Sequence, residues 1–203
     1  MEDIGIQLKE FILKYNEYKL SINKNEYELY GILIVNDSYK NIPIYDEYNV
    51  RILINKNYPY VLPKVYELSN RITNEYSHIN SDNSLCLGTN IDLYDFLNSN
   101  SKFEDFYLKI IRVVFYGISY NNKYGILPFG ERSHGDKGVI ESYKEKFGVK
   151  DIEEFKTIVE LFVTKNEQKI LKNYEAYVKL KRIEGYYMFC KFKPYIDDFS
   201  SIK

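Results

Sequence analysis

Strict alternation of apolar and polar residues in the first third of the chain predicts a strand with one buried face. The apolar members of this pattern are Val50, Ile52 and Ile54. A side-chain period of two suits a strand and not a helix. An apolar run at residues 27–35 predicts a preceding strand, and turn-forming residues at 36–41 separate the two. An antiparallel meander is therefore expected here.

Proline pairs mark the end of this meander. Tyr58-Pro59 and Leu62-Pro63 interrupt the strand pattern, and residues 65–68 resume it as a short third strand. Proline has no N–H to donate to a sheet ladder, so both pairs belong in a connection between strands. The three strands are thus consecutive in sequence, which favours antiparallel neighbours over a parallel sheet.

Helices are predicted on both sides of the meander. Apolar residues at helical spacing indicate an amphipathic helix over residues 3–16 and a longer one over 103–118. Ser101 and Glu104 match a capping box at the start of the longer helix. Residues 1–120 are therefore expected to form one α+β unit, in which two helices flank an antiparallel sheet of three or four strands.

The rest of the chain is predicted to be mainly helical. A glycine-rich, charged loop is expected over residues 121–138, followed by a short helix that ends at Gly148. Asp151 and Glu154 form a capping pair that opens a further helix.

We expect two parts in the chain. The first is a domain over residues 1–148, and the second is a helical C-terminal extension over residues 149–203 that packs on it. The extension is rich in lysine, which is typical of a solvated helix face.

Composition excludes several classes of protein. The net charge is -1, so no overall field attracts nucleic acid or a membrane surface. There are only two cysteines, which form no dense disulfide framework and so indicate a reducing compartment. They show no metal-ligand spacing, and neither a metal nor a cofactor is predicted. The first ten residues carry acids and have no apolar core of signal-peptide length, so a signal peptide is not predicted. No apolar run approaches the ~20 residues that a membrane span needs. We expect a soluble, cytoplasmic protein.

Cys86 is the residue most suggestive of chemistry. It lies between Leu85 and Leu87, in a segment at 78–90 that otherwise consists largely of small polar turn-formers. A reactive thiol needs an ordered position close to solvent, and these flanks predict one. The alternative is a strand that packs the cysteine inward as a small apolar residue. Cys190 lies in an aromatic stretch and is interpreted as a packing residue.

The order of these features resembles the ubiquitin-conjugating enzymes. That family has an aromatic-Pro-x-x-Pro turn after the meander, then a His-Pro-Asn tripeptide, then a cysteine after Ile or Leu. The matching residues here are Tyr58-Pro59 with Leu62-Pro63, His78-Ile79-Asn80, and Leu85-Cys86-Leu87. The chain departs from the pattern in having Ile79 in place of the proline and no tryptophan after the cysteine.

Beyond the long helix the chain is similar to a bacterial branch of this family. The segments that carry this likeness are residues 127–138 and 141–145. Proteins of this branch are encoded beside cyclic-oligonucleotide synthases in antiphage operons of the CBASS type. The resemblance implies that Cys86 forms a thioester and transfers a protein C-terminus to an amine. The implied acyl donor is the synthase or another ubiquitin-like protein, and a separate activating enzyme is left open.

Asn80 is the candidate donor to the oxyanion that forms when an amine attacks the thioester. A neutral amide suits this role, and loss of one such donor typically costs on the order of a hundredfold in rate. The alternative is a turn residue that bonds its own backbone. His78 is interpreted as a structural brace of the same loop.

His134 is the candidate proton acceptor. It stands between Ser133 and Gly135 in the glycine-rich loop, and its imidazole is suited to deprotonate an incoming amine. We expect this loop to fold back so that His134, Glu131 or both come within reach of Cys86. The alternative is a solvated loop histidine.

Two other functions remain open from the sequence. One is a binding module on the same fold, but inactive members of the family typically lack the cysteine. The other is a cysteine hydrolase with Cys86 and His134 as a dyad, and the surrounding motifs do not favour it.

Overall fold

A computed structural model describes residues 3–39, 41–72, 78–130, 132–133 and 135–190. Within these residues the chain has an α+β fold with an N-terminal helix, a four-stranded antiparallel sheet and several further helices. The predicted α+β class is confirmed. No helix in the described residues combines the length and apolarity needed to cross a membrane.

The chain divides into two compact units. The first contains Met1–Leu87 and Ser99–Glu131, and the second contains Gly88–Asn98 and Arg132–Lys203. This division differs from the expected one at residues 148 and 149. The reason is that Ile91, in the short segment after Cys86, belongs to the same apolar cluster as the C-terminal helices.

The sheet of the first unit is an antiparallel meander in the order β1-β2-β3-β4. Its strands are β1 (Tyr18–Ile22), β2 (Glu26–Tyr39), β3 (Ile42–Asn55) and β4 (Lys64–Glu67). Val50 pairs with Gly31 on one side and with Glu67 on the other. The predicted alternation in β3 is confirmed, because Val50, Ile52 and Ile54 are fully buried.

Two features of the sheet differ from the prediction. Strand β1 was not foreseen, because its five residues are too few to reveal a period. The predicted turn at 36–41 is shorter, since β2 continues to Tyr39. Polar residues at 36–38 continue the strand because their side chains are exposed while they pair with β3, although Val35 and Ile44 beside them are buried.

Helix α1 (Ile4–Lys14) agrees with the predicted N-terminal helix. The Asp3 carboxylate caps it by accepting the N–H groups of Gly5 at 2.8 Å and Ile6 at 3.3 Å. Its buried face includes Leu8 and Phe11. The Phe11 ring lies edge-on to Phe103 at a centroid distance of 5.2 Å, so the helix packs against the segment that follows the sheet.

The long helix of the first unit runs from Phe103 to Tyr124 through three segments. They are α3 (Phe103–Phe106), a π-helical stretch (Tyr107–Ile111) and α4 (Arg112–Tyr124). The predicted Ser101 cap is wrong, because Lys102 is the N-cap residue and makes no side-chain capping bond. Glu104 instead pairs with Lys14 and accepts the Tyr15 hydroxyl at 3.0 Å, so a tertiary contact replaces the local one.

The described part of the second unit contains helices. They are α2 (Asn90–Ser99), α5 (Asp136–Phe147), α6 (Ile152–Thr164), α7 (Glu167–Lys172) and α8 (Tyr174–Phe189). Two predicted helix ends are confirmed: Gly148 closes α5 in a left-handed conformation, and the Asp151 carboxylate caps α6 by accepting the Glu154 N–H at 2.9 Å. The buried residues of this unit include Tyr143, Phe155, Ile158 and Ile183.

Candidate active site

Cys86 lies at the end of a tight hairpin formed by residues 79–85. Ile79 and Leu85 make an isolated antiparallel bridge, and the Asn80 N–H donates to the Ser84 carbonyl at 2.8 Å. The Asn83 N–H closes the turn on the Asn80 carbonyl at 2.9 Å. Asn83 has φ 65°, a left-handed conformation that asparagine tolerates better than most residues. The polar residues before Cys86 thus specify a three-residue hairpin loop with a bulge.

Backbone hydrogen bonds fix the chain on both sides of the thiol. The Cys86 N–H donates to the His78 carbonyl at 2.7 Å, and the Leu85 N–H donates to the carbonyl of Val65 in β4 at 2.7 Å. Leu85 is buried, and Cys86 itself is half-buried. The hairpin is therefore an extension of the sheet edge that ends in an ordered, partly accessible cysteine.

The Asn80 side chain holds the hairpin together. Its Nδ2 donates to the Ser84 hydroxyl at 3.0 Å and to the Leu85 carbonyl at 3.3 Å. An amide nitrogen carries two hydrogens, so both have acceptors within the loop. This geometry corresponds to the alternative expected for Asn80, a residue that bonds its own loop. Its role toward an oxyanion stays a prediction.

Asp82 and Lys64 form a second support for the hairpin. Asp82 Oδ1 accepts the Ser84 hydroxyl at 2.6 Å and the Ser84 N–H at 3.1 Å, and Oδ2 accepts Lys64 Nζ at 2.7 Å. Hydrogen bonds from Lys64, the larger effect, and from Ser84 lower the pKa of Asp82 to about 2. The carboxylate is therefore ionised at every physiological pH.

The part played by Lys64, Asp82 and Ser84 was not predicted from the sequence. Asp-Asn in a run of small polar residues signals a turn, and that signal was available. The pairing of Lys64 with Asp82 was not, because 18 residues separate them and only the fold brings them together.

His78 contributes its backbone carbonyl to the Cys86 N–H, in keeping with a bracing role. The predicted approach of His134 or Glu131 to Cys86 concerns two residues outside the described part of the chain. Their neighbours in sequence are held within the second unit. Arg132 pairs with Asp92 at 3.0 Å and with Glu145 at 2.6 Å, and the Ser133 N–H donates to Glu141 at 2.9 Å.

Cys190 occupies a different setting from Cys86. It is the C-cap residue of α8, only 8% exposed, and its Sγ lies 2.9 Å from the Asn98 amide nitrogen. Both cysteines are thiols and not disulfide partners. Burial agrees with the packing role expected for Cys190.

Among the described residues, no group of three or more His, Cys, Asp or Glu side chains is arranged to hold a metal ion. Comparison of the chain with protein-family models, with curated proteins and with solved structures finds no match. The site therefore has to be interpreted from its own geometry.

Proposed function

We propose that this chain is an acyltransferase of the ubiquitin-conjugating type, with Cys86 as the residue that carries the acyl group. The single observation that supports this most is the position of Cys86. It is a half-buried thiol, held by backbone hydrogen bonds at the end of a hairpin that extends an antiparallel meander. The order of helix, meander, proline connection, His-x-Asn segment and cysteine is the order that the resemblance implies.

Two bond exchanges at sulfur make up the proposed reaction. The Cys86 thiolate attacks the carbonyl of a donor thioester, and the donor thiol leaves with a proton. An amine then attacks the new thioester, the carbon–sulfur bond breaks, and an amide forms while the Cys86 thiol regains its proton. A thioester suits this pathway because it exchanges with thiols and is activated toward amines. No metal or cofactor enters either step.

Asn80 supports the second step in this proposal. Attack by the amine creates an oxyanion, which a preorganised N–H stabilises. Both amide hydrogens of Asn80 already have acceptors, so one must leave its acceptor to serve the oxyanion. The contact with the Leu85 carbonyl is the longer of the two, 3.3 Å against 3.0 Å to Ser84. We expect this weaker bond to be the one exchanged.

The proposed donor is the C-terminus of a cyclic-oligonucleotide synthase, or of another ubiquitin-like protein, in an antiphage operon of the CBASS type. This part rests on the likeness of residues 127–138 and 141–145 to the bacterial branch of the family. His134 would serve as proton acceptor for the amine in the same scheme.

Co-expression with the neighbouring genes tests the proposed function. Cells that carry wild type, Cys86→Ser or Cys190→Ser are compared by immunoblot and mass spectrometry of the partner. We expect conjugates with wild type and Cys190→Ser, and none with Cys86→Ser. A serine ester is less activated toward amines, so Cys86→Ser should instead accumulate an oxygen-linked adduct.

Other outcomes of this experiment contradict the proposal. Partner binding without any adduct or conjugate in wild type would identify a binding module. Release of a shortened partner, or of a free acid without conjugates, would identify a hydrolase.

A further inference from the structure

A continuous series of side-chain hydrogen bonds runs from strand β4 to the residue before Cys86. Lys64 Nζ donates to Asp82, and the Ser84 hydroxyl donates to the same carboxylate from the other side. Asn80 Nδ2 donates to the Ser84 hydroxyl oxygen and to the Leu85 carbonyl. We call Lys64, Asp82, Ser84 and Asn80 the hairpin relay.

The donors in the hairpin relay are arranged in one direction. An ionised carboxylate only accepts hydrogen bonds, so the Ser84 hydroxyl must donate its hydrogen to Asp82. That leaves the lone pairs of the hydroxyl for Asn80, which must then present its NH2 group and not its carbonyl oxygen. The negative charge at Asp82 therefore determines which end of the Asn80 amide faces the hairpin.

Burial of Ser84 strengthens this control over hydrogen-bond direction. Ser84, the middle of the relay, is only 3% exposed, so water does not readily replace its partners. The Lys64 and Asp82 side chains at the outer end are 57% and 41% exposed. An ion pair so exposed contributes little to the free energy of unfolding by itself. Its influence lies in orienting the buried Ser84 hydroxyl and, through that hydroxyl, the more exposed Asn80 amide.

We infer that Lys64 and Asp82 are positioning residues for the acyl transfer at Cys86, acting through Ser84 and the orientation of the Asn80 amide. The inference rests on the proposed function for its catalytic meaning. Its structural part, control of the amide and of the backbone beside the thiol, does not. Lys64 and Asp82 touch no reacting atom in this scheme.

The structural part is tested by NMR on the intact chain. The readouts are the Asn80 side-chain amide resonances and the hydrogen-exchange rates of the Leu85 and Cys86 N–H groups. We expect Asp82→Asn and Lys64→Met to shift the Asn80 resonances. Loss of a charge-assisted bond should also speed exchange at Cys86 about tenfold. Lys64→Arg keeps the charge and should restore wild-type values.

A matched control separates this effect from loss of any surface ion pair. Lys109 and Asp105 form an ion pair outside the hairpin, with side chains 54% and 36% exposed. Asp105→Asn should leave the Asn80 resonances and Cys86 exchange unchanged. Equal changes in Asp105→Asn and Asp82→Asn, or no change in Asp82→Asn, would overturn the inference.

The catalytic part uses a chemical probe in place of the natural donor. Cys86 is loaded from a glycylglycine benzyl thioester in a Cys190→Ser background, and free lysine serves as the acceptor amine. We expect Asp82→Asn to load at the wild-type rate and to transfer about tenfold more slowly, since one oriented donor is disturbed. Lys64→Arg should transfer normally.

The two proposals fail in distinguishable ways. Absence of conjugates in co-expressing cells and of transfer from wild-type Cys86 to lysine, with altered exchange in Asp82→Asn, contradicts the proposed function alone. Conjugates in cells together with wild-type exchange and transfer in Asp82→Asn contradict the positioning role alone.

Discussion

The two cysteines lie in regions that surround the thiol in different ways. Cys86 follows a polar hairpin, is half-buried, and is held by its own N–H on the His78 carbonyl. Cys190 ends a helix among aromatic residues and is 8% exposed, with its sulfur against Asn98. The comparison shows that backbone order and partial access occur together at only one of these two thiols. A nucleophile needs both, because burial shields the sulfur and disorder misplaces it.

The largest expected difference between the two regions is in thiol alkylation. With iodoacetamide at pH 8, Cys86 should react on the order of a hundredfold faster than Cys190, whose alkylation requires local opening of its helix end. Peptide mass spectrometry over a time course gives both rates in one sample. The two rates should converge in denaturant. Similar rates in the folded protein would remove the distinction between the regions.

Removal of the buried hydroxyl in the hairpin should lower stability measurably. Ser84→Ala deprives the Asn80 amide of an acceptor and Asp82 of a donor at a position 3% exposed. We expect the free energy of unfolding to fall by about 1–3 kcal/mol, the range for loss of hydrogen bonds to a charged and to a neutral partner. Urea denaturation measures it. Asn83→Ser, in the same turn but at the residue with positive φ, provides a comparison in which backbone preference and not the relay changes.

Removal of a helix-cap side chain should lower the free energy of unfolding, measured by urea denaturation, in the second unit but not at Ser101 in the first. Asp151→Ala removes the carboxylate that accepts the Glu154 N–H, and should cost about 1 kcal/mol. Ser101→Ala is the matched variant, at a predicted cap that the structure does not use, and should change stability little. A larger loss from Ser101→Ala than from Asp151→Ala would contradict the assignment of these helix starts.

The smallest expected effect is the pH dependence of the stability that ionised Asp82 contributes. Asp82 titrates at about 2 in the folded protein, well below its unfolded value of about 3.9, because Lys64 and Ser84 favour the ionised form. Its contribution to stability is therefore complete above the unfolded pKa and is lost as the pH falls through about 2. An NMR titration of the Asp82 carboxyl carbon checks this. Lys64→Met should raise the pKa, and an unchanged value would show that Lys64 has no influence.

Local patterns in the sequence predicted much of the first unit. Alternation at Val50, Ile52 and Ile54 was sufficient for the second half of β3, and the Asp151 and Gly148 signals marked helix ends correctly. The failures involve tertiary partners. Ser101 and Glu104 satisfy a local capping rule, but Glu104 instead pairs with Lys14 and accepts the Tyr15 hydroxyl across the fold.

In the candidate site, too, residues with local sequence signals were identified and residues with distant partners were not. Cys86 was identified from its small polar neighbours, and Asn80 from its place in the His-x-Asn segment that carries the resemblance. Lys64 was not, since its contact with Asp82 exists only because the hairpin lies beside β4, where the Leu85 N–H donates to the Val65 carbonyl. Sequence patterns thus located the thiol, while the partners that orient its surroundings required the folded chain.

The most direct test of the central claim is to locate an acyl group on Cys86 itself. Wild-type protein purified at low pH from cells that co-express the neighbouring genes is digested and mapped by mass spectrometry, with and without hydroxylamine. We predict an adduct of the partner's C-terminus on the Cys86 peptide, removed by hydroxylamine, and none on the Cys190 peptide. An unmodified Cys86 in cells that contain conjugates, or an adduct on Cys190 alone, would contradict the account.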